Sequence, residues 1–168
     1  MVILEPANED HIDEICNLVN VAYRGDSGWT NESDFVGGQR SSTKDIQDYI
    51  AHSNSHLLIT MMQGQVVSCI CIEQKERCAY FGLFAVHPRL QGCGVGKKVL
   101  SAAESYAVEK LSAESYGMVV LSQRTDLISY YERRGYHRTG SIEDYPDHLN
   151  VGVPLHTGLT IEYLEKRV

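Results

Sequence analysis

Val86-His87-Pro88-Arg89-Leu90-Gln91-Gly92-Cys93-Gly94-Val95-Gly96-Lys97-Lys98 is the stretch on which the fold turns. Before it, Cys78–Val86 is nearly all apolar (Ala79, Phe81, Leu83, Phe84, Ala85), as expected of a strand buried on both faces. After it, Val99, Leu100, Ala103, Tyr106 and Ala107 recur at helical spacing, which predicts a helix from about Gly94 to Lys110. Glycines at 92, 94 and 96 let the connecting backbone come close to a ligand. The first turn of the helix presents unpaired N–H groups at the positive end of its dipole. Together these features predict a phosphate or pyrophosphate site, with Lys97 and Lys98 adding charge at its rim.

Two common phosphate loops do not fit. The dinucleotide pattern G-x-G-x-x-G fails because Lys98 does not supply the next glycine. The nucleotide-triphosphate pattern G-x-x-x-x-G-K-[ST] fails because Lys98 follows Gly96-Lys97 where Ser or Thr is needed.

Working outward, Val2–Glu5 reads as a short strand. Asn8 or Glu9 opens a helix that carries Ile12, Ile15, Cys16, Val19, Ala22 and Tyr23 on one face. Arg24–Arg40 is rich in Gly, Ser, Thr and Asn and reads as an irregular loop holding the single tryptophan, Trp29. Ser41–Thr43 caps a second helix with Ile46, Tyr49 and Ile50 on its face. His56–Met62 and Val66–Glu73 form a hairpin across Gln63-Gly64-Gln65. Beyond the glycine loop, Gly117–Ser122 reads as a buried strand and Asp126–Arg134 as a short helix closed at Gly135. Arg138–Asn150 reads as polar and turn-rich, and His156–Leu164 as a half-buried last strand. Hairpins first, then strands alternating with helices, predict an α/β fold with a mixed sheet and helices on both faces, in one domain spanning 1–168.

Gln91-x-x-Gly94-x-Gly96 resembles the acetyl-CoA signature Gln/Arg-x-x-Gly-x-Gly/Ala of the GNAT superfamily of N-acetyltransferases. Leu127-Ile128-Ser129-Tyr130-Tyr131-Glu132-Arg133-Arg134-Gly135-Tyr136 resembles that family's aromatic-Tyr-Glu-x-x-Gly-Phe/Tyr motif, in the right order and at a fitting distance. The resemblance implies a central sheet of about seven strands, with the strands ending at Val86 and Ser122 parallel and splayed. It places the pantetheine arm of acetyl-CoA beside Phe84, Ala85 and Val86, and the pyrophosphate on Gln91, Gly92, Cys93, Gly94, Val95, Gly96 and Lys97. It implies direct transfer of an acetyl group to a primary amine of a small molecule or peptide.

Such a transfer needs a deprotonated amine, a polarised thioester carbonyl and a proton for the departing thiolate. The resemblance offers Tyr131 as that proton donor, and a phenol of pKa ~10 is protonated at neutral pH. The backbone N–H near Phe84 or Ala85 is a candidate to polarise the carbonyl. Candidates for a base are Glu73 near the end of its strand, and Glu32 and Asp34 in the loop after the first helix, with Ser122 placed to orient a water. Tyr130, Tyr136 and Tyr80 read as packing residues. Acceptor contacts are expected from irregular segments, with Arg24, Trp29 and Glu32 in the first of them and Asp144–His156 as the second.

The 168 residues carry 15 basic and 22 acidic side chains, a net charge of −7, with no basic tract of the kind that binds nucleic acid. Five cysteines, an odd number without zinc-site spacing, read as reduced cytosolic thiols. No metal site, no membrane segment and no signal peptide are expected, and a cytoplasmic location follows. Dimers are common in the family resembled, so a homodimer is compatible with it. A non-catalytic acyl-CoA-binding regulator, or a nucleotide-binding transferase using the same loop, are the competing readings.

Overall fold

The computed structural model describes residues 2–168. In chain order the elements are β1 (Glu5–Pro6), α1 (Ile12–Arg24), β2 (Val36–Gly37), α2 (Thr43–Ala51), β3 (Ser55–Met62), β4 (Gln65–Lys75), β5 (Cys78–Val86), α3 (Val95–Leu111), β6 (Ser115–Leu121), α4 (Thr125–Glu132), β7 (His137–Asp144), β8 (Val153–Pro154) and β9 (Thr160–Arg167). Local chemistry sets several of these boundaries. The Asn8 side chain accepts from Asp10 N, starting a short 3-10 turn that runs into α1. Ser42 and Asp45 form a reciprocal capping box at the start of α2. Gln63 and Gly64 both have positive φ, which suits the tight two-residue turn joining β3 to β4.

Seven strands form one sheet in the order β1-β3-β4-β5-β6-β9-β7, and β2 pairs with β8 in a small second sheet. Within the large sheet β5 and β6 run parallel, and the other neighbours are antiparallel. One apolar cluster lies between the sheet and α3 and α4, built on Leu100, Ala103, Ile128 and Tyr131. The other lies under α1 and α2, built on Ile15, Val19, Ala22 and Ile46. Helices therefore cover both faces.

The pairing of β5 with β6 runs from Cys78↔Ser115 to Phe81↔Met118 and stops there. A bulge explains where it stops. On the β4 side Cys71 faces Gly82 and Cys69 faces Ala85, so β5 carries one extra residue between those pairs. Leu83 takes φ 46°, a left-handed conformation that is costly for a leucine. Its carbonyl accepts from the buried Cys69 thiol at 3.3 Å. The bulge also switches faces. Ala79 and Phe81 belong to the cluster under α3 and α4, whereas Leu83 and Ala85 belong to the one under α1 and α2. Phe84 is thereby turned back toward α3 and α4. Beyond this point β5 and β6 diverge, and the gap between them opens toward the glycine loop.

Several segments differ from the sequence reading: Arg24–Arg40 holds the short β2, the last strand is Thr160–Arg167 rather than His156–Leu164, and a whole strand was missed. Arg138–Asn150 contains β7, paired with β9 at the sheet edge. All eight residues of β7 are exposed, so the strand lacks the apolar alternation that would have revealed it, and Gly140 at φ 86° breaks its register. The first strand also sits slightly later than expected, at Glu5–Pro6.

Candidate active site

The glycine loop leaves β5 through a short turn at Pro88–Leu90 and enters α3 with Gly94 as its N-cap, at φ 80°. No side chain caps α3, and its first turn contains no acidic residue. The leading N–H groups of the helix are therefore free to bind an anion. A side chain at Gly92 or Gly94 would meet nothing within 4 Å, so both glycines border open space. Gly96 has a different role. A Cβ there would lie 3.2 Å from the Tyr130 hydroxyl, so its lack of a side chain lets α4 approach.

A cavity of ≈ 310 Å³ lies between this loop, the ends of β5, α4 and the segment after α1. Its floor is Phe84 and Val86, one wall is Gln91, Gly92, Gly94, Gly96 and Lys97, and the opposite wall is Leu127, Tyr130, Tyr131 and Arg134. Tyr23, Trp29, Thr30 and Glu32 roof it. Lys97 and Arg134 bring positive charge to it, and Glu32 brings the carboxylate. The Arg134 guanidinium lies 3.3 Å from the Tyr130 ring centroid and donates to Tyr130 O.

Tyr131 is 7% exposed and sits in a stack of aromatic rings, edge-on to Tyr130 at 5.2 Å and to Tyr136 at 5.9 Å. Burial raises its phenol well above the usual range, with Tyr23 and Tyr130 as smaller contributors in the same direction. Burial likewise pushes Tyr23 up to about 12, with Arg40 opposing and Glu32 adding to the rise. Burial raises Tyr130, the third phenol lining the cavity, as well, against the opposing charge of Arg134, so all three hold their protons.

Most of the expected site residues meet here. Phe84, Val86, Gln91, Gly92, Gly94, Gly96, Lys97, Trp29, Glu32 and Tyr131 line the cavity. Arg24 stands behind it, 2.7 Å from Glu32 and 2.6 Å from Val151 O, and so orients Glu32. The Ala85 side chain is buried in the core under α1 and α2, because the bulge turns it away. Cys93 is exposed, and Val95 packs against the core under α3.

Two expected catalytic residues are placed elsewhere. Glu73 pairs with Tyr80 on β5 and Ser55 on β3, short of the point where the gap opens. It lines a separate pocket with Arg40, Asp45, Asp48 and Tyr49. The Ser122 hydroxyl accepts from Thr160 Oγ1 at 2.8 Å, which ties β6 to β9. Asp34 is absent from the cavity lining; its carbonyl lies 3.0 Å from His156 Nε2. Conversely, Tyr23, Thr30, Tyr130 and Arg134 line the cavity without having been singled out. Tyr130, read as a packing residue, does both jobs: it packs on Trp29 at 5.2 Å and walls the cavity. The spacing of Tyr130 and Arg134, one helical turn apart beside Tyr131, was the available signal for Arg134.

Among the described residues no helix is long and apolar enough to cross a membrane. A family model described as an acetyltransferase (GNAT) domain matches residues 29–149. No curated protein sequence matches the chain significantly. Solved structures do. An IAA acetyltransferase from Bacillus cereus aligns over 100% of both chains at 17% identity and TM-score 0.71. A ribosomal-protein-alanine N-acetyltransferase from Brucella melitensis aligns over 99% of this chain and 100% of its own, at 15% identity and TM-score 0.73. A mutant spermidine N-acetyltransferase from Vibrio cholerae aligns over 99% and 95%, at 13% identity and TM-score 0.69. At these identities the likeness is one of fold.

Proposed function

This chain belongs to the acetyltransferase (GNAT) family of acetyl-CoA-dependent enzymes, and from that premise we propose that it passes an acetyl group directly to a primary amine in the cavity under Trp29 and Glu32. The observation that carries the proposal is the juxtaposition of the uncapped start of α3 with Tyr131 and Glu32 around one cavity.

The residues present fit acetyl-CoA. The free N–H groups from Val95 onward suit a pyrophosphate, and Lys97 and Arg134 add cations beside it. The unpaired edge of β5 beyond Phe81 supplies backbone donors and acceptors to an extended amide-bearing arm. When bound, acetyl-CoA supplies an activated acetyl thioester. The Gln91 side chain is occupied elsewhere, donating to Thr30 Oγ1 at 2.8 Å and Val86 O at 2.9 Å, so its part in binding is to shape the loop.

The chain's own groups divide the remaining work. Glu32, held by Arg24, receives the acceptor's ammonium under the roof and takes the proton that its nitrogen loses as the C–N bond forms. Tyr131 Oη carries the proton that the departing sulfur needs, and its burial keeps that proton in place. The backbone N–H of Phe84 or Ala85, beside the bulge, is the donor we assign to the thioester carbonyl. Alignment of both partners in a walled cavity supplies a further share of the rate.

The direct test is calorimetric titration with acetyl-CoA, with NADH and ATP as controls, followed by release of free CoA thiol against a panel of amines. Two of the similar structures are named for spermidine and for a protein alanine, so the panel includes spermidine and a peptide with N-terminal alanine. Selective acetyl-CoA binding with turnover on a panel amine is expected. Binding without turnover on any amine would favour a non-catalytic regulator.

A second expectation concerns the thiols. Burial pushes Cys69 and Cys71 each up to about 12, which makes them unreactive near neutral pH. Cys93 is exposed inside the glycine loop. A thiol reagent should therefore modify Cys93 first, and saturating acetyl-CoA should slow that step by about tenfold or more. Timed labelling with mass-spectrometric site assignment checks this, and an unprotected Cys93 would place the pyrophosphate elsewhere.

A further inference from the structure

Trp29 and Thr30 of the roof, with the adjoining Asn31, are held by side chains from outside their own loop, chiefly by Arg124. Arg124 is 4% exposed and lies in the turn between β6 and α4. Its Nη1 donates to Thr30 O at 3.1 Å and Asn31 O at 3.0 Å, and its Nη2 to Trp29 O at 2.8 Å. Its Nε and Nη2 also donate to the two carboxylate oxygens of Asp126 at 2.9 Å and 3.0 Å. A guanidinium has five N–H bonds, and five acceptors surround this one, so every donor is used. The second tie is Gln91, which bonds Thr30 Oγ1 while also holding Val86 O. The connections that follow β5 and β6, the two diverging strands, therefore meet at Thr30, and the second also holds its two neighbours.

We propose that Arg124 is a positioning residue for the transfer: it sets Trp29–Asn31, and with them the acceptor-facing roof, without touching acetyl-CoA. Asp126 fixes the plane of the guanidinium by bidentate pairing, so the three carbonyls are received in one geometry. The effect spreads along contacts already described. Trp29 rests on Tyr130, Tyr130 rests on Gly96, and Glu32 follows Asn31 in the chain. Lysine is a poor substitute, because it offers three donors around a point charge rather than a planar fork. The inference rests on reading this cavity as the transfer site.

The chain has one tryptophan, so intrinsic fluorescence reports the roof directly. Arg124→Ala and Arg124→Lys are compared with wild type after far-UV circular dichroism and thermal melts have established folding. The expected result is a red-shifted Trp29 emission and faster acrylamide quenching in the alanine variant, with the lysine variant between it and wild type. Acetyl-CoA affinity by calorimetry is expected to stay within about threefold of wild type. Unchanged emission and quenching in the folded alanine variant would overturn the proposal, as would a larger loss of acetyl-CoA affinity. If the alanine variant does not fold, the lysine variant decides by the same two readouts. Neither readout needs turnover, so an inactive wild type would defeat the proposed function and leave this inference to stand or fall separately.

Discussion

Tyr131→Phe is expected to lower kcat about 10²- to 10⁴-fold, the usual worth of a general acid, while acetyl-CoA affinity changes less than about twofold. The substitution removes one oxygen and leaves the ring, so the edge-on contacts with Tyr130 and Tyr136 are retained and the core under α3 and α4 keeps its packing. The measurement is kcat at saturating acetyl-CoA and amine, together with a calorimetric titration of the variant. An unchanged kcat would remove Tyr131 from the reaction and turn attention to Tyr23 and Tyr130, the other phenols in the cavity. The pH profile adds a check of sign. Burial raises the Tyr131 phenol, so the protonated form that acts persists to higher pH than in a free tyrosine. Wild-type kcat should therefore show no descending limb from this group up to pH ~10, the ordinary phenol value. A limb near neutral pH would have to come from another group.

The parts of the site that were legible in the sequence are those built from neighbours in the chain. Gln91, Gly92, Gly94 and Gly96 sit on one strand-to-helix connection, and their geometry follows from local backbone needs. Tyr131, which lines the cavity, was nominated through a resemblance in a short helix. The mixed sheet with helices on both faces was likewise read from apolar periodicity, and its size of about seven strands from the family resemblance; β7 was not read as a strand. That strand lies at an edge with both faces wet, so nothing in its composition distinguishes it from a loop.

What escaped depends on distant pairs. Arg124 bonds carbonyls 93 to 95 positions away, and no local pattern announces such a partner. The position of Glu73 has a more specific cause. It pairs with Tyr80, and the gap opens only past the bulge in β5, whereas Ser122 lies beyond that point but is bonded to Thr160. Leu83 at positive φ shifts the face of every residue after it, and a leucine carries no sequence signal for that conformation. The same shift buries the Ala85 side chain under α1. One residue of positive φ thus decides which side chains at the end of β5 reach the cavity.

Gly94→Glu is expected to weaken acetyl-CoA binding by at least about 100-fold, or ~2.7 kcal/mol, with the fold retained. The reasoning separates strain from function. Gly94 has φ 80°, so any side chain there costs about 1–2 kcal/mol in backbone conformation. Its Cβ would meet nothing within 4 Å, so no packing clash follows. A glutamate instead extends into the open space beside the uncapped N–H groups of α3 and brings negative charge there. A carboxylate at a helix N-terminus is itself favourable, so the variant supplies an intramolecular competitor for the place of the pyrophosphate. Gly94→Ala carries the same strain without the charge and should lose much less affinity. Gly96→Ala should behave differently again. Its Cβ would press on the Tyr130 hydroxyl at 3.2 Å and displace the ring that supports Trp29, so the fluorescence should change along with affinity. Calorimetry on the three variants, with thermal melts as the folding control, distinguishes these roles. Wild-type affinity in a folded Gly94→Glu protein would mean that the start of α3 does not hold the pyrophosphate, and the free N–H groups there would need another anion to explain them.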